Sequence, residues 1–326
     1  MQKLRFSLAM VTVVWVGLLA GCDKQDDSVP IKHASAATKT GPTKTLREAR
    51  DGFTTKLTRQ QTKGEPAVKP PSSQLQLVRY DSKVGPLVAY LTAEPGDGKK
   101  HPAIVWIRGG DCNTIGDVWT PQLPNNDQTA VEFRRAGIVT MFASLRGGNE
   151  NPGVYEGFYG EVDDVIAAAD FLAKQPFVDP QRIYLGGHGT GGTLVLLTAE
   201  YTDRFRATFS FGPAMSPVKY GIQFTPYDDT NKNEVALRSP ANWLDSVRSP
   251  VFVFEGSEGG NGQDLLTMKS RGTNSAAQFF LIKGADPNSI LFPVTSLIAK
   301  RINLDNGPAC NISFTAPELN DLLAPP

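Results

Sequence analysis

The sequence predicts an α/β protein, built on a mostly parallel central sheet with an N-terminal hairpin and helices on both faces. Short apolar runs alternate with helical patterns along most of the chain, which is typical of parallel strands joined by crossover helices. Two apolar runs before this alternation are separated by the turn sequence DSKVGP, which indicates a hairpin. The chain has 326 residues, 40% of them hydrophobic, enough for one large domain.

The first half of the domain contains the hairpin, a buried strand, a helix and a further strand. LQLVRY and LVAYLTA form the hairpin, and AIVWIRGG is the buried strand, which ends in glycines. DQTAVEFRRAG predicts a helix with a glycine stop, and IVTMFAS predicts the strand that follows it. The alternation of strand and helix therefore begins directly after the hairpin.

The second half continues the alternation to the end of the domain. GEVDDVIAAADFLAKQ is a strong helix, because its apolar residues recur on one face. Residues 213–248 have weak periodicity and several polar side chains, and we expect a small cap there. The domain therefore covers residues 74–304 and is followed by a C-terminal tail, 305–326. The remaining elements are the strands RIYLGG, ATFSFG, PVFVFEG and AQFFLIKG, the helix GTLVLLTAEY, the intervening segment LLTMKS and the closing helix VTSLIAKRI.

The first 22 residues resemble a bacterial lipoprotein signal. Lys3 and Arg5 are followed by a short apolar stretch that ends in Leu-Ala-Gly-Cys, and this stretch is too short to span a bilayer comfortably. The resemblance implies that residues 1–21 are removed and that Cys22 carries a lipid, which makes the membrane a partner of the mature protein. An ordinary secretory signal and an N-terminal transmembrane anchor are the alternatives.

The residues after Cys22 indicate a tether in the bacterial cell envelope. Asp23 favours retention in the inner membrane, by the rule that holds for enteric lipoproteins. Residues 23–42 are polar and lack an apolar period, as expected of a flexible linker. A short amphipathic helix starts at Leu46, and a proline-rich stretch follows it. We therefore expect a membrane-proximal tether with a short helix over residues 22–73.

The composition gives no sign of nucleic-acid, metal or cofactor binding. Lys and Arg number 33, as do Asp and Glu, so no excess of positive charge indicates a nucleic-acid partner. No stretch has His, Cys and Asp at metal-ligand spacing, and we expect no metal and no cofactor. Cys112 and Cys310 form a disulfide if they are close in an oxidising compartment, and are otherwise two separate buried thiols.

The stretch RIYLGGHGTGGTLVLLTAE has the frame of a nucleophile elbow. In such an elbow a nucleophile between glycines sits on a sharp turn from strand to helix, where the next backbone N–H can donate to an oxyanion. The frame runs from Gly187 to Gly191, with a strand before it and a helix after it. Its centre, where a serine belongs, is Gly189.

The elbow and its surroundings resemble the prolyl oligopeptidase and dienelactone-hydrolase side of the α/β-hydrolase superfamily. The resemblance rests on SLRGGNENPG, on VDPQRIYLGG before the elbow and on the Gly-Gly that closes it, and it runs from about Pro102 to Ile302. It implies the α/β-hydrolase fold. It also implies hydrolysis of peptides or esters by a serine, an acid and a histidine, in that chain order.

Two of these three catalytic positions lack the required residue. Gly189 has no side-chain atom with which to attack a carbonyl. The loop that should carry the histidine reads Gly-Ala-Asp-Pro, with Pro287 in the histidine position. The chain has three histidines, His33, His101 and His188, and none follows the elbow. The nucleophile and the base are therefore both missing.

The acid and the oxyanion donors are less affected. The acid should follow the strand PVFVFEG, where Glu258 and Asp264 are the candidates. The oxyanion donors are backbone groups, for which the candidates are the N–H of Thr190 and that of Gly110, in the loop after AIVWIRGG. A small acyl or peptide ligand could therefore still be held beside the elbow.

Other residues offer only weak substitutes for the missing nucleophile. Cys112 would need His188 as a base, and nothing in the sequence brings the two together. Ser257, Ser289 and Thr190 lack an oriented base. We interpret the chain as a protein derived from a serine peptidase or esterase that has lost catalysis and keeps a binding or scaffold role, with no protein partner identified. The alternatives are an active serine-type hydrolase with an unrecognised nucleophile and a purely structural envelope protein.

Overall fold

Eight strands form one sheet in the computed structural model, which describes residues 44–323. The expected signal sequence, Cys22 and residues 23–43 of the expected tether lie outside the described residues. The strands are β1 (Leu75–Ser82), β2 (Gly85–Thr92), β3 (His101–Ile107), β4 (Val139–Ala143), β5 (Val178–His188), β6 (Thr208–Phe211), β7 (Val251–Gly256) and β8 (Ala277–Ile282).

The strand order is β1-β2-β4-β3-β5-β6-β7-β8. β2 pairs antiparallel with both β1 and β4, and all other neighbours pair in parallel. The predicted fold class is thereby confirmed, with the opening hairpin at one edge of an otherwise parallel sheet. Because the chain leaves each parallel strand at the same edge, the loops after β3, β5, β6, β7 and β8 meet there.

Helices cover both faces of the sheet. The helices are α1 (Leu46–Arg50), α2 (Val131–Arg135), α3 (Glu161–Ala173), α4 (Thr190–Tyr201), α5 (Lys232–Ala236), α6 (Gly262–Arg271), α7 (Leu291–Leu304) and α8 (Ala316–Asp321). Short 3₁₀ turns lie at Pro124–Asn126, Pro217–Tyr220, Ile222–Phe224, Pro240–Asn242 and Leu244–Ser246. No helix within residues 44–323 is both long enough and apolar enough to cross a membrane.

The alternation of side chains along β3 shows how the core is divided. Ile104 and Trp106 point into a cluster that includes residues of α7. Val105 and Ile107 point to the opposite face, into a cluster with residues of α3 and α4. Both faces are apolar because the strand is covered on both sides, which is why AIVWI reads as a continuous apolar run.

The sheet also separates the two cysteines. Cys112 is buried in the cluster on the α3 and α4 face, whereas Cys310 packs against the cluster on the α7 face. Both thiols are free. Of the two alternatives left open by the sequence, the structure therefore has two separate thiols and no disulfide.

The predicted helix over DQTAVEFRRAG is shorter than expected. Only Val131–Arg135 is helical. The residues before it are occupied by a side-chain turn in which the Thr129 backbone N–H donates to Asp127 Oδ1 (2.8 Å), an alternative to helical hydrogen bonds that short polar side chains offer. The glycine stop lies where it was predicted, since Gly137 has a φ of 74°.

The domain begins earlier than residue 74. The unit that contains the sheet starts at Thr43, and residues 44–73 pack against it instead of forming a linker. The buried Arg50 donates to the carbonyl of Leu237 (2.8 Å), and the amide of Lys63 donates to the carbonyl of Gly147 (2.7 Å). The sequence of this polar, proline-rich segment does not predict the packing, because the contacts join groups that are far apart in the chain.

The C-terminal residues 305–323 likewise belong to the packed unit rather than to a loose tail. The buried Phe314 meets the rings of Phe252 (4.9 Å) and Phe254 (5.3 Å) edge-on. The carboxylate of Asp305 accepts two hydrogen bonds of 2.7 Å from Arg206, and this pairing holds the pKa of Asp305 at about 2 although burial opposes it.

The segment expected to form a cap, residues 213–248, consists of α5 and four short 3₁₀ turns between β6 and β7. A buried ion pair joins Glu234 and Arg238 (2.5 Å), and the Arg238 guanidinium lies 4.0 Å from the centre of the Tyr227 ring. These contacts explain how a segment with weak apolar periodicity is still well packed.

Candidate functional site

Gly189 has the backbone conformation of a nucleophile elbow. It lies between the last residue of β5 and the first residue of α4, with φ 57° and ψ −120°. A β-carbon built on Gly189 would have one atom within 4 Å, the Cα of Gly109 at 3.8 Å. There is therefore space for a side chain at this position, and packing does not explain why it is a glycine.

The glycines around Gly189 are fixed by close contact. A β-carbon on Gly187 would lie 2.7 Å from the carbonyl oxygen of Ile107, and one on Gly191 would lie 2.5 Å from that of Arg108. These contacts bring α4 against the end of β3. The elbow frame is thus required by packing at its flanks, while its centre is free to carry a larger residue.

The loop after β3 is held against the elbow by two side chains. The Thr190 hydroxyl donates to the Gly110 carbonyl (2.8 Å), and the Gly109 amide donates to His188 Nε2 (3.2 Å). Thr190 is the first residue of α4, where a helix leaves the backbone N–H without an acceptor inside the helix. The two expected oxyanion donors, the amides of Gly110 and Thr190, therefore lie in adjoining segments that are tied together.

His188 supports the elbow through its contacts with the neighbouring loops. It is 8% exposed, and burial, helped by the charge of Arg108, lowers its pKa to about 4. Its Nε2 also lies 3.1 Å from Gln128 Oε1, and its ring stacks against Trp106. A neutral imidazole fixed on a backbone amide positions the oxyanion loop.

None of the substitute nucleophiles is paired with a base. Burial, with the nearby carboxyls of Glu161 and Asp111, raises the pKa of Cys112 well above its usual range, so this thiol is not activated. The Ser257 hydroxyl accepts from the Gly284 amide (2.9 Å). The Ser289 hydroxyl accepts from the Asp286 amide (3.0 Å). Both serines stabilise loop turns.

The loops after β7 and β8 meet, but without catalytic side chains at their contact. A β-carbon on Gly260 would overlap Cγ of Pro287. Asp264 lies on α6 and accepts from the Met215 amide (2.9 Å) and from Lys219 Nζ (3.1 Å), while Glu258 is exposed. Among the described residues, neither carboxylate makes a hydrogen bond to the Pro287 loop.

A buried carboxylate that sequence reasoning missed is that of Glu255. It is 1% exposed, near the end of β7, and it accepts from the amides of Gly256 (2.8 Å) and Asn261 (2.9 Å). Burial raises its pKa. The sequence feature that could have indicated this buried carboxylate is the position of Glu255 inside the apolar run PVFVFEG. Glu255 shapes the loop in which the resemblance places the acid.

The motif SLRGGNENPG braces the oxyanion-side loop. Arg146 forms a buried ion pair with Asp164 (2.8 Å), and the carbonyl of Arg146 accepts from Asn113 Nδ2 (2.8 Å). Asn149, which is left-handed with φ 47°, accepts from the Ile115 amide (2.7 Å). The motif therefore supports the loop after β3, a role that the resemblance to the hydrolase family did not predict.

The spaces around the loops near the elbow differ in volume. On one side Phe158, Tyr220 and Phe224 pack together, and a space of about 10 Å³ remains near Cys112. A separate cavity of about 500 Å³ on the same side is lined by Asp111, Tyr155 and Phe224, among others. On the other side lies a cavity of about 570 Å³, here called the Arg108 cavity. It is lined by Arg108, Asp117, Val118, Gln122, Leu123, Asn125, Asn126 and Gln128.

Within residues 44–323, no group of three or more His, Cys, Asp or Glu side chains is arranged to hold a metal ion.

Comparisons with known proteins find that the region around the elbow is similar to known peptidases. Residues 125–261 match the model of the prolyl oligopeptidase family, Peptidase_S9. The uncharacterized peptidase YtmA of Bacillus subtilis (strain 168) is 24% identical over 187 residues, covering 52% of this chain and 68% of YtmA. A probable dipeptidyl-aminopeptidase B of Aspergillus fumigatus is 23% identical over 266 residues, covering 78% of this chain but 26% of that protein.

Solved structures agree on the fold. An acylaminoacyl peptidase in complex with Z-Gly-Gly-Phe-chloromethyl ketone has a TM-score of 0.56 at 16% identity, covering 77% of this chain and 44% of that one. A hyperthermophilic esterase from Pyrobaculum calidifontis has a TM-score of 0.52 at 19% identity, covering 72% of this chain and 86% of that one. This chain thus spans less than half of the acylaminoacyl peptidase.

Proposed function

We propose that the chain is a catalytically inactive member of the α/β-hydrolase superfamily that binds a ligand beside its elbow. The match of residues 125–261 to the prolyl oligopeptidase family model and the fold shared with an acylaminoacyl peptidase and an esterase support this proposal. The observation that carries the proposal is the geometry of Gly189, which has the conformation of a nucleophile but no side chain. Pro287 in the base loop and the lack of any histidine after the elbow support it independently.

The expected loss of rate is large. Removing a whole catalytic triad leaves about 10³- to 10⁴-fold acceleration over water, from the oxyanion donors and substrate binding alone. Peptide bonds hydrolyse so slowly in water that this residual acceleration gives no useful turnover. Glycine at a positive φ also avoids the backbone strain of about 1–3 kcal/mol that a serine bears there.

The retained parts support a binding role. The amides of Gly110 and Thr190 are held in adjoining segments by the Thr190 hydroxyl and by His188. The N-terminus of α4 carries partial positive charge, which favours an oxygen with negative character. A carboxylate or acyl oxygen is therefore the group that we expect beside Gly189.

We further propose that the protein is anchored to the bacterial cell envelope by a lipid on Cys22. The proposal is supported by the Leu-Ala-Gly-Cys sequence at the end of an apolar stretch, and Asp23 favours the inner membrane. Mass spectrometry of the protein from its native membrane should find a mature chain that starts at a lipid-modified Cys22. A chain that starts elsewhere, or an unmodified cysteine, would contradict the anchor.

The inactive state is tested by labelling the full chain with a fluorophosphonate and by assaying a panel of esters and peptides. We expect neither covalent labelling nor turnover above the background of a heat-denatured sample. Robust turnover that survives Cys112→Ala would show an active serine or threonine and would overturn the proposal.

The assignment of positions has its own test in the double variant Gly189→Ser/Pro287→His. We expect weak but measurable fluorophosphonate labelling, because the elbow has space for the serine and the oxyanion donors are in place. Gly189→Ser alone is the matched control and should stay unlabelled, since no base activates it. If the double variant also stays unlabelled, the assignment of Pro287 to the base position loses its support, since either that position or the position of the acid is then wrong.

A further inference from the structure

We propose that the Arg108 cavity is a binding site for the free carboxylate of a short peptide, a site distinct from the missing triad. The proposal rests on the binding role inferred above and names the ligand class. It is argued from an arginine without a partner, from the side chains around it and from its contact with the elbow.

Arg108 lacks the partners that the other inward-facing arginines have. Arg146, Arg206 and Arg238 each form an ion pair with a carboxylate, and the buried Arg50 donates to three backbone carbonyls. Within residues 44–323, Arg108 makes no ion pair within 4 Å and no hydrogen bond, although it is only partly exposed and lines the cavity. A guanidinium removed from water without an anion is costly, and its planar donors match a carboxylate in a bidentate arrangement.

Arg108 is also held in place. Its Nη1 would lie 2.9 Å from a β-carbon on Gly116, so the guanidinium lies against the backbone of that glycine. The positive charge of Arg108 acts to lower the pKa of His188 and that of Tyr90, which lie on strands of the same sheet. An arginine packed on backbone loses less side-chain entropy on binding than a free surface arginine does.

The charge of the cavity favours a monoanion over phosphate. Asp117 lines the same cavity, but its oxygens are taken by the amides of Trp119 (3.0 Å) and Thr120 (2.9 Å) and by the Thr120 hydroxyl (2.5 Å). It therefore does not bind Arg108 directly, yet its negative charge would repel a dianion. One carboxylate facing Arg108 is the better match.

The rest of the lining suits a peptide. The amide side chains of Gln122, Asn125, Asn126 and Gln128 line the cavity and can both donate to and accept from peptide groups. Leu123 is 74% exposed at its edge, where it offers contact to an apolar side chain. A volume of about 570 Å³ lies within the range of about 300–1,000 Å³ that is usual for small-ligand sites.

Gln128, which lines the cavity, also contacts the elbow. Its Oε1 lies 3.1 Å from His188 Nε2, and His188 holds the amide of Gly109. A peptide in the cavity would therefore lie next to the oxyanion loop, with its carboxylate on Arg108 and its preceding peptide groups toward the elbow.

The test compares the tripeptide Ala-Ala-Leu with its C-terminal amide and with inorganic phosphate, by isothermal titration calorimetry on the full chain. We expect saturable binding of the free acid and at least about tenfold weaker binding of the amide, the usual effect of losing one charged hydrogen-bonded pair. Equal binding of acid and amide, no binding of the acid, or tighter binding of phosphate would each overturn the proposal.

Variants locate the site. Arg108→Gln should weaken binding of the free acid at least about tenfold and remove the preference over the amide, while Arg108→Lys should keep part of it. Arg79→Gln, at an exposed position of β1, is the control and should bind as the natural protein does. An Arg108→Gln variant with an unchanged melting temperature and unchanged affinity would overturn the assignment. Fluorophosphonate labelling does not depend on these binding results. The proposal that the protein is inactive and the proposal that it binds a carboxylate can therefore be refuted separately.

Discussion

Two different physical constraints favour glycine in the elbow: close packing at its flanks and a positive φ at its centre. Gly187 and Gly191 are held by backbone atoms of Ile107 and Arg108 that a β-carbon would strike. Gly189 has room, and its positive φ is the one local feature that favours glycine there. Packing therefore explains the two flanking glycines, whereas it does not explain the glycine at the centre.

This difference predicts opposite tolerances to serine. Gly189→Ser should lower the free energy of unfolding by about 1–3 kcal/mol, the cost of a strained backbone. Gly191→Ser should lower it by more than this or prevent folding, since the added atom has no space. Urea unfolding of both variants measures the difference, and equal losses would show that the space beside Gly189 is not real.

A buried acid at the end of α4 predicts a pH effect on stability. Glu200 is 2% exposed, both of its carboxylate oxygens lack a hydrogen-bond partner among the described residues, and burial raises its pKa well above 4.5 although Arg50 opposes the shift. Because the folded state binds the proton more tightly than the unfolded state, the stability from this group is present below pH 4.5 and is lost as the pH rises through the folded pKa.

The variant Glu200→Gln removes this dependence. We expect it to be more stable than the natural protein at pH 8, and the difference between the two to shrink toward pH 5, where the buried carboxyl of the natural protein gains its proton. Unfolding in urea at the two pH values measures it. Glu94→Gln, at an exposed position, is the control; a similar pH trend in that variant would refute the role of burial.

At the scale of helices and strands, the sequence was most informative where order is local. The apolar runs of β3, β4 and β7 and the pattern of α3 were predicted, because burial on one or both faces leaves a period in the sequence. Helix α1 and residues 51–73 were taken for a tether, because the contacts that bury Arg50 come from Phe158, Tyr159 and Leu237. No local pattern contains those partners.

The candidate site shows the same division. Gly189 and Pro287 were identified from the frame and from the order of loops, which depend on short stretches of sequence. Glu255 and the free guanidinium of Arg108 were not, since their importance depends on which groups surround them after folding. A carboxylate inside an apolar strand was the one available signal for Glu255.

The packing of α1 predicts that Arg50 is a stabilising residue. Arg50→Ala would leave three buried carbonyls without their charged donor, those of Phe158, Tyr159 and Leu237, and should lower the free energy of unfolding by about 2–4 kcal/mol. Arg47→Ala is the matched control on the exposed side of the same helix and should cost less than about 1 kcal/mol. Equal losses would indicate that α1 does not dock as described.

For the molecule as a whole, the C-terminal residues close the core on the α7 face. Phe314 is 6% exposed and contacts aromatic rings from β6, β7 and β8, those of Phe209, Phe252, Phe254 and Phe280. Residues 305–323 therefore complete the core on this face of the sheet. Truncation of the chain before Phe314 should expose the aromatic rings that Phe314 covers.

This contact predicts a large effect for a residue so near the end of the chain. Phe314→Ala should lower the free energy of unfolding by about 3–5 kcal/mol, through lost burial and the cavity left behind. Leu322→Ala, at a position that is 37% exposed, should cost less than about 1.5 kcal/mol. Differential scanning calorimetry of the two variants measures the difference in stability. A small effect of Phe314→Ala would mean that the aromatic cluster is stable without the Phe314 ring.

The docking of α1 also bears on the order in which the chain can fold. The Leu46 amide donates to the hydroxyl of Ser246, and Arg50 reaches Leu237, so the first described helix depends on partners near the end of the segment between β6 and β7. A polypeptide made from its N-terminus cannot close these contacts until more than two thirds of it has been synthesised, and such long loops close slowly. Until then Leu46 is exposed to water, and the earliest part of the domain to be made becomes one of the last to gain its native contacts.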